Sequence, residues 1–186
     1  MTSYCDYVRD HPEDKYNKRY HDAEYGFPLE DDNLLFERFM LEINQAGLSW
    51  ITILRKVGNF RRAYHGFDVD RIADYGAGDR ARLLSDAGII RNRLKVNAAI
   101  ENAKRIGALR AEYGSFKGWL DTHHPRPLEE WAKLFKQTFV FTGGEIVREF
   151  LVSTGYLPGA HDADCPTYTV VIKSHPPFNN LKSISL

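Results

Sequence analysis

The 186-residue chain is 43% hydrophobic and 13% aromatic, and it balances 25 Lys/Arg against 25 Asp/Glu. That length suits one domain, or a domain with a small lobe, able to bury a core without disulfides. No apolar run approaches the ~18 residues of a membrane span, the first ten residues (MTSYCDYVRD) are charged without a secretory h-region, and two cysteines are too few for a disulfide scaffold.

The expectation is a cytoplasmic protein with no membrane partner. Charge is unevenly spread. Residues 1–50 hold 11 acids and 5 Lys/Arg, a net of −6; residues 51–110 hold 13 Lys/Arg and 6 acids, a net of +7. A basic middle in a neutral chain suits a phosphate-facing patch, and equally a helical surface of solvated charges.

Hydrophobic periodicity is helical nearly throughout, without repeats or low-complexity tracts. Residues 31–46 (DDNLLFERFMLEINQA) open with acids suited to a helix N-terminus. On that helix Leu35, Phe39, Glu42 and Ala46 fall within about 60° of one another. Glu42 is therefore an acid on an apolar stripe. A buried carboxylate without a partner is expensive. Either Glu42 is a structural acid bonded to backbone or an Arg, or it floors a pocket for a cation or a polar ligand edge. Gly47-Leu48-Ser49 breaks the helix, and Trp50 returns close to the side of Glu42. An acid beside an indole suits a flat aromatic cation, held by ring face and carboxylate together.

Residues 49–65 are expected as one helix, with Ile53, Val57, Phe60 and Tyr64 on one face. Short helices follow near 68–75 and 79–85. The stretch LLSDAGIIRNRLKVNAAI (83–100) has helix–hairpin–helix spacing. Asp86-Ala87-Gly88 turns, Ile89 and Ile90 point inward, and a long helix runs over 92–113. In such units the amides at the second helix's start, Gly88 included in the hairpin, bind DNA phosphate without reading sequence. Arg91, Arg93 and Lys95 would add charge. The second glycine usual in such hairpins is Ile90 here, and any corner between two helices accommodates the same text. Further helices are expected after Pro127 and over 144–154, with Gly155 as a C-cap. TYTVVIK (167–173) is the best strand candidate, and the chain from Ser174 reads as coil or disorder. The fold class is all-α.

His161 and Cys165 form an H-x3-C half-site for zinc that Cys5 and His21 would complete. Two inert thiols or a Cys5–Cys165 disulfide are the alternatives. Four protein ligands would make a closed, structural site that clamps the two termini together.

Four stretches in order along the chain, YHDAEYGFP (20–28), LEINQAGLSWITILRKVGNFRRAYHGFD (41–68), DAGIIRNRLKVNAAIENA (86–103) and HDADCP (161–166), resemble the DNA-3-methyladenine glycosylase I family. These are the Tag-type members of the helix–hairpin–helix DNA glycosylases, and the similarity covers roughly residues 4–168. The resemblance implies an all-α helix–hairpin–helix glycosylase fold with its N- and C-terminal segments clamped by one structural zinc per chain. It implies a single domain over 1–168, its hairpin unit at about 79–113, and a tail over 169–186. The implied activity is removal of 3-methyladenine from alkylated double-stranded DNA by base flipping, as a monomer. By position, Cys5, His21, His161 and Cys165 look like the zinc ligands, Glu42 like the pocket carboxylate and Trp50 like the stacking indole. Tyr20 matches a pocket position, Tyr7 and Tyr25 stand where familiar members have tryptophans, and Gly47 and Leu48 fall in the segment pressed into the duplex. FTGGEIVREFL (141–151) is the least typical helix. Two rival classes are a zinc-stabilised helical module that binds altered DNA without excising a base, and a zinc hydrolase with a metal-bound water.

Overall fold

Capping begins the chain. The Ser3 hydroxyl accepts from the Asp6 amide at 3.0 Å, and the Asp6 carboxylate accepts from the Ser3 amide at 3.1 Å. This box opens α1 (Tyr4–Asp10) of the computed structural model, which describes residues 3–179. Asp14 caps α2 (Lys15–Ala23) by accepting from the Asn17 amide. Neither helix is visible as apolar periodicity, because both are short and polar; only their caps announce them.

Asp31 caps α3 (Asp32–Gln45) through the amides of Asn33 and Leu34. Every residue from Leu35 to Asn44 is buried, so α3 is a central post, not a one-faced surface helix. It carries charge inside. Glu37 is held by Arg61 through a two-pronged pair at 2.7 and 2.9 Å. Arg38 donates to the Tyr20 hydroxyl and to the carbonyls of Glu24 and Ser153 at 3.2–3.4 Å, and also meets the Glu24 carboxylate.

The helix expected over 49–65 is two helices, α4 (Trp50–Leu54) and α5 (Val57–Ala63). The break falls at Lys56, whose ammonium leaves to bond the carbonyls of Ala87 and Gly88 at 3.3 and 3.1 Å. The apolar face continues across the break, so periodicity alone does not reveal it. Next come α6 (Val69–Ala73), α7 (Ala77–Ser85) and α8 (Arg93–Tyr113), close to expectation. An unexpected helix, α9 (Phe116–His123), starts at a Ser115 cap. Asp32 ties it to α3: its carboxylate accepts from Arg110 at 2.7 Å and from the Phe116 amide at 3.0 Å. α10 (Leu128–Thr138) and α11 (Gly144–Ser153) follow. The rings of Phe135, Phe139 and Phe150 pack on Phe39 of α3 with centroids 5.1–5.6 Å away.

The strand expected over 167–173 is a helix, α12 (Pro166–Lys173). Its β-branched run favours a strand locally, but Pro166 suits a first helical turn and Val171 is buried by the fold. The domain end expected at 168 thus falls inside a helix. The coil expected from Ser174 is docked as far as Asn179: Pro176 is buried, and the Phe178 amide donates to the Gly155 carbonyl at 3.0 Å. The rest of the expected tail, 180–186, lies outside the described residues. Among the described residues there is no strand, and no helix is long and apolar enough to cross a membrane.

Candidate active site

Of the three buried charges on α3, Glu42 alone lacks a hydrogen-bond partner among the described residues. It is 4% exposed and faces a cavity of about 470 Å³ with Tyr4, Tyr20, Tyr25, Trp50 and Glu149. Burial, then the charge of Glu149, push its carboxyl up to about 8, while Arg38 pulls the other way. The Trp50 ring meets Tyr20 edge-on at 5.0 Å, and Tyr20 lies 5.5 Å from Tyr25. Burial raises both tyrosine hydroxyls, so they stay neutral hydrogen-bonding groups. The result is an aromatic box with an unpaired acid in its wall.

Tyr7 is not part of that box. It is 37% exposed, donates to Asp14 at 3.1 Å and stacks on His11 at 4.3 Å. Its place is taken by Tyr4, one turn earlier on α1, whose ring lies 5.4 Å from Tyr25. Sequence reasoning missed Tyr4, although it directly precedes the candidate ligand Cys5. It also missed Glu145, Arg148 and Glu149 of α11, which line the cavity from a helix whose opposite face (Val147, Phe150, Leu151) is core.

Cys5, His21, His161 and Cys165 come together from both ends of the chain, with one donor atom from each within 4.8 Å of all the others. Nitrogen to nitrogen is 3.2 Å, and nitrogen to sulfur runs from 3.3 to 3.9 Å. Tetrahedral zinc with bonds of about 2.0–2.3 Å requires edges of about 3.3–3.8 Å, so the donor set fits. The outer partners fit as well. His161 Nε2 donates to the Tyr25 carbonyl at 2.8 Å, which leaves Nδ1 as the ligand atom; His21 Nδ1 faces Asp22 at 2.7 Å, which leaves Nε2. The Asp162 amide donates to the Cys5 sulfur at 3.4 Å. These residues form a candidate metal centre that shares a wall with the aromatic box: Tyr4 adjoins Cys5, Tyr20 adjoins His21, and Tyr25 is bonded to His161.

The hairpin between α7 and α8 is as expected in shape. The Gly88 amide donates to Asp86 at 2.7 Å, and a Cβ on Gly88 would lie 2.9 Å from that oxygen. Ile89 is buried and Ile90 half-buried. Asn92 caps α8 through the amides of Leu94 and Lys95. The amides of Ile90, Arg91 and Arg93 meet no acceptor among the described residues, and the side chains of Arg91 and Arg93 are exposed. Lys95 corrects the expectation. It is 4% exposed, and its ammonium donates to the carbonyls of Asn44 and Ala46 at 2.8 and 2.7 Å. It satisfies the orphan carbonyls at the end of α3. It thereby pins the turn in which Gly47 adopts φ +80° and Leu48 is exposed.

The model of the methyladenine glycosylase family matches residues 10–133 of this chain. The chain belongs to that family. It is 35% identical to the DNA-3-methyladenine glycosylase of Haemophilus influenzae, over 91% of this chain and 100% of that protein. It is 51% identical to DNA-3-methyladenine glycosylase 1 of Escherichia coli over 46% of each chain. Among solved structures, 3-methyladenine DNA glycosylase I of Staphylococcus aureus superposes with a TM-score of 0.77 at 31% identity, covering 83% of this chain and 92% of that one. Another 3-methyladenine DNA glycosylase I superposes with a TM-score of 0.75 at 35% identity, covering 83% and 94%. One related structure is a complex with 3-methyladenine. The methyladenine glycosylase model ends before α11 and before both C-terminal metal-ligand candidates.

Proposed function

We propose that this methyladenine glycosylase family member is a DNA repair enzyme that hydrolyses the N-glycosidic bond of 3-methyladenine in alkylated double-stranded DNA. The observation that carries the reading is Glu42, a buried carboxylate with no internal partner, facing an aromatic cavity. The target base is hidden in a duplex, so it must be flipped out to reach such a cavity. N3-methylation makes the adenine cationic. Trp50 and the tyrosine rings offer it π faces, and Glu42 offers it a negative edge. The cation favours the ionised form of Glu42, so binding draws off the proton that burial otherwise retains.

When the bond from C1′ to the base breaks, its electron pair goes to the base and cancels the positive charge there. The sugar carbon becomes electron-poor and takes the oxygen of water, and the water proton leaves. Negative charge close by stabilises that carbon. Because the base departs neutral, little acid catalysis is needed, and the role of Glu42 is recognition and electrostatics. Tyr20, Tyr25 and Tyr4 wall the pocket. Gly47 and Leu48 form the turn that enters the duplex beside the flipped base. The hairpin amides, with Gly88 shaping the loop and Arg91 and Arg93 supplying charge, hold backbone phosphate. The enzyme acts as a cytoplasmic monomer, with residues 1–168 and the remainder of α12 forming one glycosylase domain.

Zinc suits the Cys5, His21, His161 and Cys165 set, because two thiolates and two imidazoles fill its tetrahedral shell. A filled shell makes zinc a clamp between the chain ends. Incubation with methylated duplex DNA, followed by assay of the released base, tests the function. Release of 3-methyladenine is expected. Tight binding to the lesion with no base released would instead identify a recognition module.

A further inference from the structure

A second acid faces Glu42. Glu149 comes from α11, which lies outside the residues matched by the family model and carries the least typical of the family-like stretches. The Tyr25 hydroxyl donates to Glu149 Oε2 at 3.1 Å, and Arg148 pairs with Glu149 Oε1 and, at 3.1 Å, with Glu145. Each Glu149 oxygen thus keeps acceptor capacity for a further donor. Glu42, Glu145, Arg148 and Glu149 all line one cavity, so acids outnumber cations in its wall. Arg38 approaches Glu42 from its own helix but spends its donors on Tyr20, Glu24 and Ser153.

Facing carboxylates in a partly dry cavity repel one another, and a positive guest relieves that repulsion where a neutral one does not. Tyr25 has a precise part in this arrangement. Its carbonyl is held by His161 and its hydroxyl by Glu149, so one residue links the metal centre to the second acid. A phenol can donate in this way across the cavity wall while its ring still lines the cavity.

We propose that Glu149, oriented by Tyr25, is a second base-recognising carboxylate that selects cationic N-alkylated purines over neutral bases. The proposal rests on the reading of Glu42 as the pocket acid. The test is single-turnover excision at subsaturating enzyme, which reports the titration of the free enzyme, from duplex DNA containing N3-methyladenine, from about pH 6 to about pH 9.5, on either side of the Glu42 value near 8. Binding of duplex DNA carrying an abasic-site analogue serves as a control that does not use the base pocket. Glu149→Gln keeps size and the Tyr25 contact. It should bind the abasic analogue as wild type does, excise about threefold to tenfold more slowly, and show its pH midpoint at lower pH, because Glu42 then titrates beside one negative charge fewer. Tyr25→Phe leaves the Glu149 charge in place and should slow excision about twofold to threefold with an unmoved midpoint. A Glu149→Gln enzyme with wild-type rate and midpoint overturns the proposal, as does a slower one whose midpoint stays put. Glu42→Gln separates the two readings: if it is impaired while Glu149→Gln is not, only the role of Glu149 fails; if it is fully active, the pocket reading itself fails.

Discussion

The aromatic cavity and the hairpin edge are the two regions proposed to meet nucleic acid, and they are assembled in opposite ways. The hairpin is one continuous stretch between α7 and α8, exposed, with its charge in solvent. The cavity draws Tyr4, Tyr20, Glu42, Trp50 and Glu149 from five helices and buries its acid. Charge in the hairpin is cheap and screened; charge in the cavity is expensive and therefore selective. The two regions meet at Lys95, which begins in the hairpin's long helix and ends on the last carbonyls of α3.

The largest way to separate the regions is through the candidate metal centre. It braces the tyrosine wall and touches nothing in the hairpin. Chelation, or Cys5→Ser, should lower the melting temperature by well over about 10 °C, since a structural zinc site contributes many kcal/mol to folding. Thermal scans with and without chelator, with metal content measured in parallel, check this. Under mild chelation, affinity for free 3-methyladenine should fall before affinity for undamaged DNA. Equal loss of both would mean that the metal supports the whole fold and not the cavity wall.

Glu42→Gln comes next. Loss of a buried charge facing a cation should reduce excision about 10- to 100-fold, the equivalent of about 1.5–3 kcal/mol for a charged hydrogen bond. Stability should move the other way. The folded carboxyl titrates near 8 and the unfolded one near 4.5, so between those values the folded state holds the extra proton. Wild-type stability therefore falls as pH rises through that window, by up to about 1.4 kcal/mol per unit. Gln does not titrate. The variant's melting temperature should gain on wild type from pH 4.5 to pH 8 and run parallel above it. A constant difference across that range would remove the buried, partnerless acid from the account.

What the sequence discloses follows the same division. Local text is enough for the hairpin, the Gly47 turn and the boundaries of α3, α8 and α11, because caps, glycines and the 3.6-residue period sit within a few residues of each other. The stripe argument picks out Glu42 but not Glu37 and Arg38, since a single-face pattern does not say that α3 is enclosed on all sides. Glu145, Arg148 and Glu149 read as an ordinary solvated helix face; only the packing of α11 against α3 turns that face into a cavity wall. Tyr7 and Tyr4 lie one turn apart on a polar helix with no period to choose between them. The strand expected over 167–173 fails because intrinsic preference is weak against a proline start and a buried docking site.

Lys95 and Arg93 make the finest comparison, two cations in the first turn of α8 with different surroundings. Lys95→Met keeps the apolar stem but strands two carbonyls at the end of α3. It should cost about 2–3 kcal/mol of stability, seen as a lower denaturation midpoint, and should loosen the Leu48 turn. Arg93→Ala removes an exposed side chain from the start of the helix and should leave the denaturation midpoint within about 0.5 kcal/mol of wild type. Its effect belongs to DNA. Affinity should fall by a similar factor on damaged and undamaged duplexes, and the slope of log affinity against log salt should become shallower by about 0.9, one phosphate contact's worth of released counterion. If Arg93→Ala instead weakens binding only to lesion-containing duplex, its guanidinium acts at the damage and not on the backbone, and the hairpin is then part of the recognition that the cavity otherwise performs.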